Sequence, residues 1–207
     1  MIKAILFDVD GVLIHSLSAN LRFYNHVFQK FGKPPITLKD YMKFSGKPMK
    51  SVFGLFFPEK SEKEINEMVE YGVKVYPNFF RYIRLNPNVV KTLEILEKGH
   101  KLGIVTNRIN TKVLEFFKIR KYFSAEVTYG DVKNQKPHPE PILLVLKRLR
   151  IKPQEALYIG DNLSDCQAGK AAGVKVIIYR NPEVNGDFNI KDLREISKII
   201  EMLNKAG

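Results

Sequence analysis

The 207-residue sequence predicts an α/β protein: a doubly wound parallel sheet with an inserted all-helical domain. Three observations lead to this fold class. Short apolar runs alternate with helical patterns from residue 88 onward, and another apolar run precedes them at residues 2–8. Between the two lie roughly 70 residues with helical spacing and no strand pattern. Strands that alternate with helices are expected to be parallel and joined by right-handed crossovers.

The first predicted strand, residues 2–8, ends in Asp8, and Asp10 follows two positions later. The insertion then begins with a helix over residues 17–31 that Gly32 ends. One apolar stripe runs along this helix, formed by Leu17, Leu21, Tyr24, Phe28 and Phe31.

Two pairs of residues predict further helix starts within the insertion. Thr37 with Asp40, and Ser61 with Glu64, have the spacing of an N-cap and its third helical residue, and the second pair has the full capping-box form. The Phe-rich stretch at residues 53–58 is expected to form the core of this domain.

Helices and strands alternate beyond residue 88. In chain order the predicted elements are a helix at 89–99, a strand at 101–107, a helix at 111–119, a strand at 125–130, a helix at 139–151, a strand at 155–161, a helix at 163–173, a strand at 174–180 and a final helix at 190–203. The predicted domains are an α/β core of residues 1–15 and 86–207 and a helical domain of residues 16–85.

The composition, 44% hydrophobic and 11% aromatic, is that of a globular protein with a substantial core. No apolar run approaches the ~20 residues of a membrane span, so no membrane partner is expected. Asp8 and Asp10 interrupt the first apolar run too early for a signal peptide. The single cysteine, Cys166, excludes an internal disulfide and a cysteine metal cluster, and a cytoplasmic location is the expectation.

The net charge is +12, with a sequence pI near 9.6, which is compatible with nucleic acid, anionic lipid or small anionic substrates as partners. Lys and Arg are spread along the chain without a block of five like charges, and no nucleic-acid-binding motif is present. This pattern favours a generally solvated basic surface, and specific nucleic-acid binding is not expected. A basic nucleic-acid-binding protein without catalysis remains the alternative from a different functional class.

Polar residues follow the predicted strands where each of them ends. The carboxyl ends of parallel strands meet at one edge of the sheet, where open α/β sheets bind ligands. Two carboxylates on one strand face, as at positions 8 and 10, repel each other unless a cation lies between them. The candidate site residues are Asp8, Asp10, Thr106, Asn107, Lys136, Asp161 and Asp165.

These residue types indicate phosphoryl transfer. Carboxylate oxygens suit Mg²⁺, whereas an ammonium and a hydroxyl suit phosphate oxygens. One Asp can attack phosphorus, and a second carboxylate can protonate the leaving oxygen and later activate water. We therefore expect Asp8 to be the nucleophile and Asp10 the acid and base. Asp165 could instead only stabilise the start of its helix, and Asn162 is favoured as the cap of that helix.

The segments "DVDGVL", "IVTN", "KPHP" and "GDNLSD" resemble, in this order, the four motifs of the haloacid dehalogenase-like phosphohydrolases. The insertion after the first motif resembles the helical cap of the phosphoglycolate phosphatase and β-phosphoglucomutase branch. The resemblance implies that Asp8 is nucleophile and metal ligand, that Asp10 is acid/base and supplies a carbonyl to the metal, and that Asp165 binds the metal directly or through water. The implied phosphate-binding residues are Thr106, Asn107 and Lys136, and the implied Mg²⁺ ligands are Asp8, Asp10, Asp161 and Asp165.

The loop at residues 44–51 is where related caps contact the leaving group of the substrate. Gly46, Lys47 and Lys50 are therefore candidate substrate contacts in this chain. A cap that closes over the site would exclude water and set specificity. His15 departs from the Asp or Asn that many relatives carry at this position.

The function predicted from the sequence is a Mg²⁺-dependent phosphatase that acts on a small phosphorylated metabolite through an aspartyl-phosphate. Phosphoglycolate, pyrophosphate, a sugar phosphate and a nucleotide monophosphate are all compatible substrates, and monomer and homodimer are both compatible. A phosphomutase of the β-phosphoglucomutase type is the alternative among enzymes. Dehalogenase activity is disfavoured because Asp10 and a magnesium site are features of the phosphoryl-transfer relatives.

Overall fold

The computed structural model describes residues 1–205 and contains a six-stranded sheet in which every pair of neighbouring strands is parallel. Its strand order is β5-β4-β1-β6-β7-β8, while β2 and β3 form a separate two-stranded sheet. The strands of the described chain are β1 Ala4–Phe7, β2 Ile14–His15, β3 Arg84–Leu85, β4 Lys101–Val105, β5 Ala125–Val127, β6 Ala156–Gly160, β7 Lys175–Tyr179 and β8 Phe188–Ile190. The predicted fold class is confirmed.

Most helices occur where the sequence predicts them, although most are shorter than predicted, and the helix Met49–Phe56 begins within the predicted loop at residues 44–51. They are α1 Leu17–Lys30, α2 Leu38–Met42, α3 Met49–Phe56, α4 Glu62–Val75, α5 Val89–Leu96, α6 Lys112–Phe116, α7 Glu140–Leu149, α8 Leu163–Ala171 and α9 Glu195–Lys205. A 3₁₀ helix, Tyr76–Tyr82, follows α4. Among residues 1–205, no helix is long and apolar enough to cross a membrane.

Strand β1 lies in the middle of the large sheet and is buried along its whole length. Phe7 is in register with Ile104 on β4 and with Ile159 on β6. A strand covered on both faces reads as a continuous apolar run, which explains the sequence of β1. The backbone N–H of Asp8 donates to the carbonyl of Ile159 at 2.9 Å, so Asp8 begins where the apolar strand ends.

The chain forms two compact units. The first comprises residues 1–15, 85–106 and 110–207, and the second comprises residues 16–84 and 107–109. In the first unit, aliphatic side chains of the sheet pack against α7 and α8. In the second, the core is rich in aromatic rings, and the predicted Phe-rich stretch contributes Phe53 and Phe57 to it.

Both helix starts that the capping pairs predict are present. The Thr37 hydroxyl accepts from the Asp40 N–H and the Ser61 hydroxyl from the Glu64 N–H, while each acidic side chain reaches back to the N-cap N–H. The reciprocal bonds satisfy N–H groups that a helix start otherwise leaves unpaired.

The chain after β7 differs from the prediction. One helix is predicted over residues 190–203, whereas Ile190 belongs to β8 and α9 begins at Glu195. Three residues are too few to show strand alternation, so β8 is recognisable only from its parallel pairing with β7. The prediction of an apolar face is confirmed in part, because Leu193, Ile196 and Ile200 are buried.

Candidate active site

The candidate site centres on a buried lysine held between two carboxylates. Lys136 Nζ lies 3.0 Å from Asp8 Oδ1 and 2.6 Å from Asp165 Oδ1. Asp8 follows the central strand β1, Asp165 lies in the first turn of α8, and Lys136 comes from the loop before α7. Their side chains are at most 7% exposed, so these charges interact with little screening by solvent.

Asp161 adds a third carboxylate at the end of the neighbouring strand β6. One carboxylate oxygen each from Asp8, Asp161 and Asp165 can be chosen so that all three lie within 4.8 Å of one another. Gly11 permits this arrangement, because a Cβ at this position would overlap the Asp161 carboxylate. Its φ of +81° is also a backbone conformation that favours glycine.

The crowding of negative charge perturbs the protonation of these groups. Burial, followed by the Asp165 charge, raises the pKa of Asp161 to about 7. Burial also raises the pKa of Asp8 well above its ordinary value, Lys136 opposes this shift, and Asp161 and Asp10 reinforce it. Burial acts to lower the pKa of Lys136, but the Asp165 and Asp8 charges outweigh it and raise that pKa. The lysine is therefore a permanent cation within the cluster.

The carboxylate of Asp165 is fully hydrogen-bonded by protein groups. Its Oδ1 accepts from Lys136 Nζ and from the Tyr158 hydroxyl, each at 2.6 Å, and its Oδ2 accepts from the backbone N–H groups of Asp161 and Asn162. Asn162 is the N-cap of α8, as predicted, and accepts from the Asp165 N–H at 3.1 Å. Asp165 therefore both stabilises the helix start and contacts the buried lysine.

Three residues outside the predicted set support this cluster. Tyr158 is fully buried on β6, and its hydroxyl contacts Lys136 as well as Asp165. Gly160 leaves room for Asp165, because a Cβ there would overlap its side chain. Asn181, after β7, donates to the Asp161 carbonyl at 2.7 Å. The sequence does not predict a role for Tyr158, because this residue lies inside an apolar strand, where a tyrosine is usually a core residue. Its phenol hydroxyl among aliphatic neighbours is the one feature that indicates a polar contact there.

The two residues after β4 belong to different units. Thr106 is 3% exposed, and its backbone N–H donates to the Val127 carbonyl, which keeps it at the strand end in the first unit. Asn107 belongs to the second unit, where its Nδ2 donates to the Gly46 carbonyl at 3.1 Å. Its Oδ1 is buried and lacks a hydrogen-bond partner among the described residues. The structure therefore groups Asn107 with the predicted cap loop.

The two lysines of the predicted loop at residues 44–51 differ in structure, because α3 begins at Met49 and Lys50 therefore lies in a helix and not in a loop. Lys50 Nζ forms an ion pair with Glu62 at 2.8 Å inside the second unit, whereas Lys47 is exposed. Asp10 is partly buried three residues after the end of β1, and its charge acts on both Asp8 and Asp161.

The residues present fit a small hard cation. They offer buried carboxylate oxygens, the donor type that Mg²⁺ prefers, within a few ångströms of one another. The raised pKa values of Asp8 and Asp161 indicate that these groups do not readily share a negative charge without a neutralising cation. Because both Asp165 oxygens already accept two protein donors each, Asp8 and Asp161 are the better available ligands.

Comparison with known proteins identifies the family. The family model described as haloacid dehalogenase-like hydrolase matches residues 5–179, a span that contains Asp8, Lys136 and Asp165. The chain belongs to this family. The enzyme class predicted from the sequence, a haloacid dehalogenase-like hydrolase, is thereby confirmed.

This hydrolase is similar to curated proteins and to solved structures. The chain is 36% identical over 179 residues to Pyrophosphatase PpaX of Anoxybacillus flavithermus, covering 84% of this chain and 81% of the relative. A solved structure described as a HAD-superfamily hydrolase, subfamily IA, variant 1, from Geobacter sulfurreducens is 31% identical with a TM-score of 0.76, and 96% of each chain is covered. The β-phosphoglucomutase of Clostridium difficile shares the fold with a TM-score of 0.88 at 24% identity, covering 100% of this chain and 99% of that one.

Proposed function

We propose that this hydrolase is a Mg²⁺-dependent phosphatase that acts on a small phosphorylated metabolite through an aspartyl-phosphate on Asp8. The observation that carries the proposal is the contact of 3.0 Å between the buried Asp8 carboxylate and Lys136 at the end of the central strand. A nucleophilic carboxylate must be ionised, and a permanent cation at this distance opposes the effect of burial on the pKa of Asp8.

The proposed reaction has two steps. A carboxylate oxygen of Asp8 attacks phosphorus, the bond from phosphorus to the leaving oxygen breaks, and Asp10 gives its proton to that oxygen. Asp10 then takes a proton from a water molecule, whose oxygen attacks the phosphorus of the aspartyl-phosphate. The acyl-phosphate bond breaks, inorganic phosphate leaves, and the Asp8 carboxylate is restored.

In this proposal Thr106, Asn107 and Lys136 hold the oxygens of the phosphoryl group, and Asp8, Asp161 and the Asp10 carbonyl hold the metal. The chemistry of a bound Mg²⁺ would be charge neutralisation between the carboxylates and polarisation of the phosphoryl group. We assign Asp165 to positioning rather than to direct metal binding, since Lys136, Tyr158 and two backbone N–H groups already donate to it.

We further propose that residues 16–85 act as a cap and that Gly46 and Lys47 of its loop, with Lys50 at the start of α3, contact the substrate. Lys47 is the stronger candidate for an anionic group, because Lys50 already forms an ion pair with Glu62. A single cysteine in 207 residues is in keeping with a reducing compartment, and we propose a cytoplasmic location.

Inorganic pyrophosphate is the first substrate to test, because a relative that is 36% identical is named a pyrophosphatase. The net charge of +12 is compatible with an anionic substrate such as pyrophosphate, because it attracts anions by long-range electrostatics.

The experiment that tests the proposal measures phosphate release from pyrophosphate, phosphoglycolate and a sugar phosphate, each with Mg²⁺ and each again with excess EDTA. We expect one substrate to be hydrolysed much faster than the others, loss of release with EDTA, and recovery when Mg²⁺ is restored in excess. Release that EDTA leaves unchanged would contradict the metal assignment. Isomerisation of a sugar phosphate without phosphate release would contradict the phosphatase and favour the mutase.

A further inference from the structure

Tyr158 carries a buried hydroxyl that the proposed reaction does not use. Its ring is fully buried in the apolar cluster between the sheet and the helices α7 and α8. The hydroxyl at the end of that ring extends beyond the apolar cluster and contacts two charged partners: Asp165 Oδ1 at 2.6 Å and Lys136 Nζ at 3.1 Å. A phenylalanine would fill this apolar site equally well, so packing alone does not explain the hydroxyl group.

The direction of each proton follows from the number of donors. A tyrosine hydroxyl has one proton and an ionised carboxylate has none, so the 2.6 Å contact is a donation from Tyr158 to Asp165. Burial and the charges of Asp165 and Asp8 raise the pKa of Tyr158, which keeps this proton on the phenol. The lone pairs of the hydroxyl are then free to accept from Lys136.

Lys136 has three protons, and the protein supplies acceptors for all three. Two of them go to Asp165 Oδ1 at 2.6 Å and Asp8 Oδ1 at 3.0 Å. For the third, the acceptors are the Tyr158 hydroxyl at 3.1 Å and the Val105 carbonyl at 3.4 Å, and the shorter contact is the better hydrogen bond. Tyr158 therefore helps to set the orientation of the ammonium group, both directly and through Asp165.

We infer that Tyr158 is a positioning residue that holds Lys136 in line with Asp8. The inference rests on the proposed function, in which the N–H that points to Asp8 turns to a phosphoryl oxygen when phosphate binds beside Asp8. Asp165 and Tyr158 then keep the other two N–H groups and hold the ammonium in place. Without the hydroxyl, Asp165 Oδ1 loses one of its two donors and draws the ammonium more strongly to itself. The third N–H of Lys136 is then left with the longer contact to Val105. A buried ammonium that is oriented less well binds phosphate oxygens more weakly.

The chain offers a matched control on the adjacent strand. Tyr179, on β7, is 1% exposed, and its hydroxyl has no hydrogen-bond partner among the described residues. Tyr158→Phe and Tyr179→Phe thus remove the same atom from two buried rings, but only the first removal breaks hydrogen bonds to the site.

The experiment measures the dissociation constant of inorganic phosphate in the presence of Mg²⁺ by titration calorimetry, for the wild type and both variants. We expect Tyr158→Phe to raise this constant by about tenfold, the effect of one hydrogen bond to a charged group, while Tyr179→Phe matches the wild type. Circular dichroism and the urea midpoint establish that each variant is folded, and partial unfolding alone would reduce the number of binding sites rather than the affinity of each site.

Equal phosphate affinity in Tyr158→Phe and the wild type would overturn the inference, as would an equal loss in both variants. Failure of the wild type to bind phosphate would overturn it too, since Lys136 would then have no phosphate to position. The proposed function fails separately, if phosphate binds but no substrate of the panel is hydrolysed.

Discussion

At the scale of single residues, the site depends on two glycines whose lack of a side chain leaves room for carboxylates. Gly11 and Gly160 lie beside Asp161 and Asp165, and a Cβ at either glycine would overlap the neighbouring carboxylate. The backbone freedom of a glycine is recognisable from the sequence, because it is a local property of the residue. The second role of Gly11, close approach to Asp161 some 150 positions later, appears only in the folded chain.

Gly11→Ala tests this second role, with Gly32→Ala as its control. Both glycines have a φ near +80°, so alanine at either position should lower the free energy of unfolding by about 1–2 kcal/mol. Only at position 11 does the added Cβ meet Asp161; at position 32 nothing lies within 4 Å. We therefore expect Gly11→Ala alone to weaken Mg²⁺ binding to the metal-free protein, by about tenfold or more, in titration calorimetry. Equal Mg²⁺ affinity in the two variants would refute the role of Gly11.

At the scale of elements, the sequence predicts the strands of the sheet well wherever a full apolar run exists. It fails for β8, which has three residues, and the tail helix is consequently assigned too early. The same limit applies to the site. Asp8, Asp161 and Lys136 are recognisable at strand ends or in a loop, and Asp165 is recognisable at a helix start. Tyr158 instead lies within a strand, where its hydroxyl contacts depend on tertiary packing.

The capping box of α4 gives a prediction at this scale. Hydrogen bonds to the N–H and hydroxyl of Ser61, together with a contact to Lys60, lower the pKa of Glu64 to about 2. Because folding lowers this pKa, the ionised Glu64 side chain stabilises the folded state above its ordinary pKa near 4.5. This stabilisation is lost as the pH falls towards 2. Glu64→Gln should thus lower the urea midpoint at pH 7 and converge with the wild type near pH 2.

The control for this measurement is Glu67→Gln, which removes the same charge from an exposed position of α4 outside the capping box. It should change the urea midpoint less at pH 7. A constant difference between Glu64→Gln and the wild type from pH 7 to pH 2 would show that the Glu64 charge does not contribute to the cap.

At the scale of the whole molecule, the candidate site residues are distributed over the two compact units. The carboxylates and the buried lysine belong to the unit that contains the large sheet, and the exposed Lys47 belongs to the helical unit. The net charge of +12 could be read from the sequence, and so could the order of the motifs. The substrate could not, because neither charge nor motif order determines the shape of the leaving group that a cap accepts.

The measurement that tests the central claim most directly is detection of a phosphoryl group on Asp8. The enzyme is mixed with Mg²⁺ and its best substrate, quenched in acid within the first turnover and digested in acid with pepsin, because an acyl-phosphate is lost at the pH that trypsin needs. The peptide that contains Asp8 is then sequenced by mass spectrometry. The account predicts a phosphoryl group on Asp8 that is absent from folded Asp8→Asn, whose phosphate release should also be lost. A phosphoryl group on another residue, or turnover by Asp8→Asn at the wild-type rate, would contradict it.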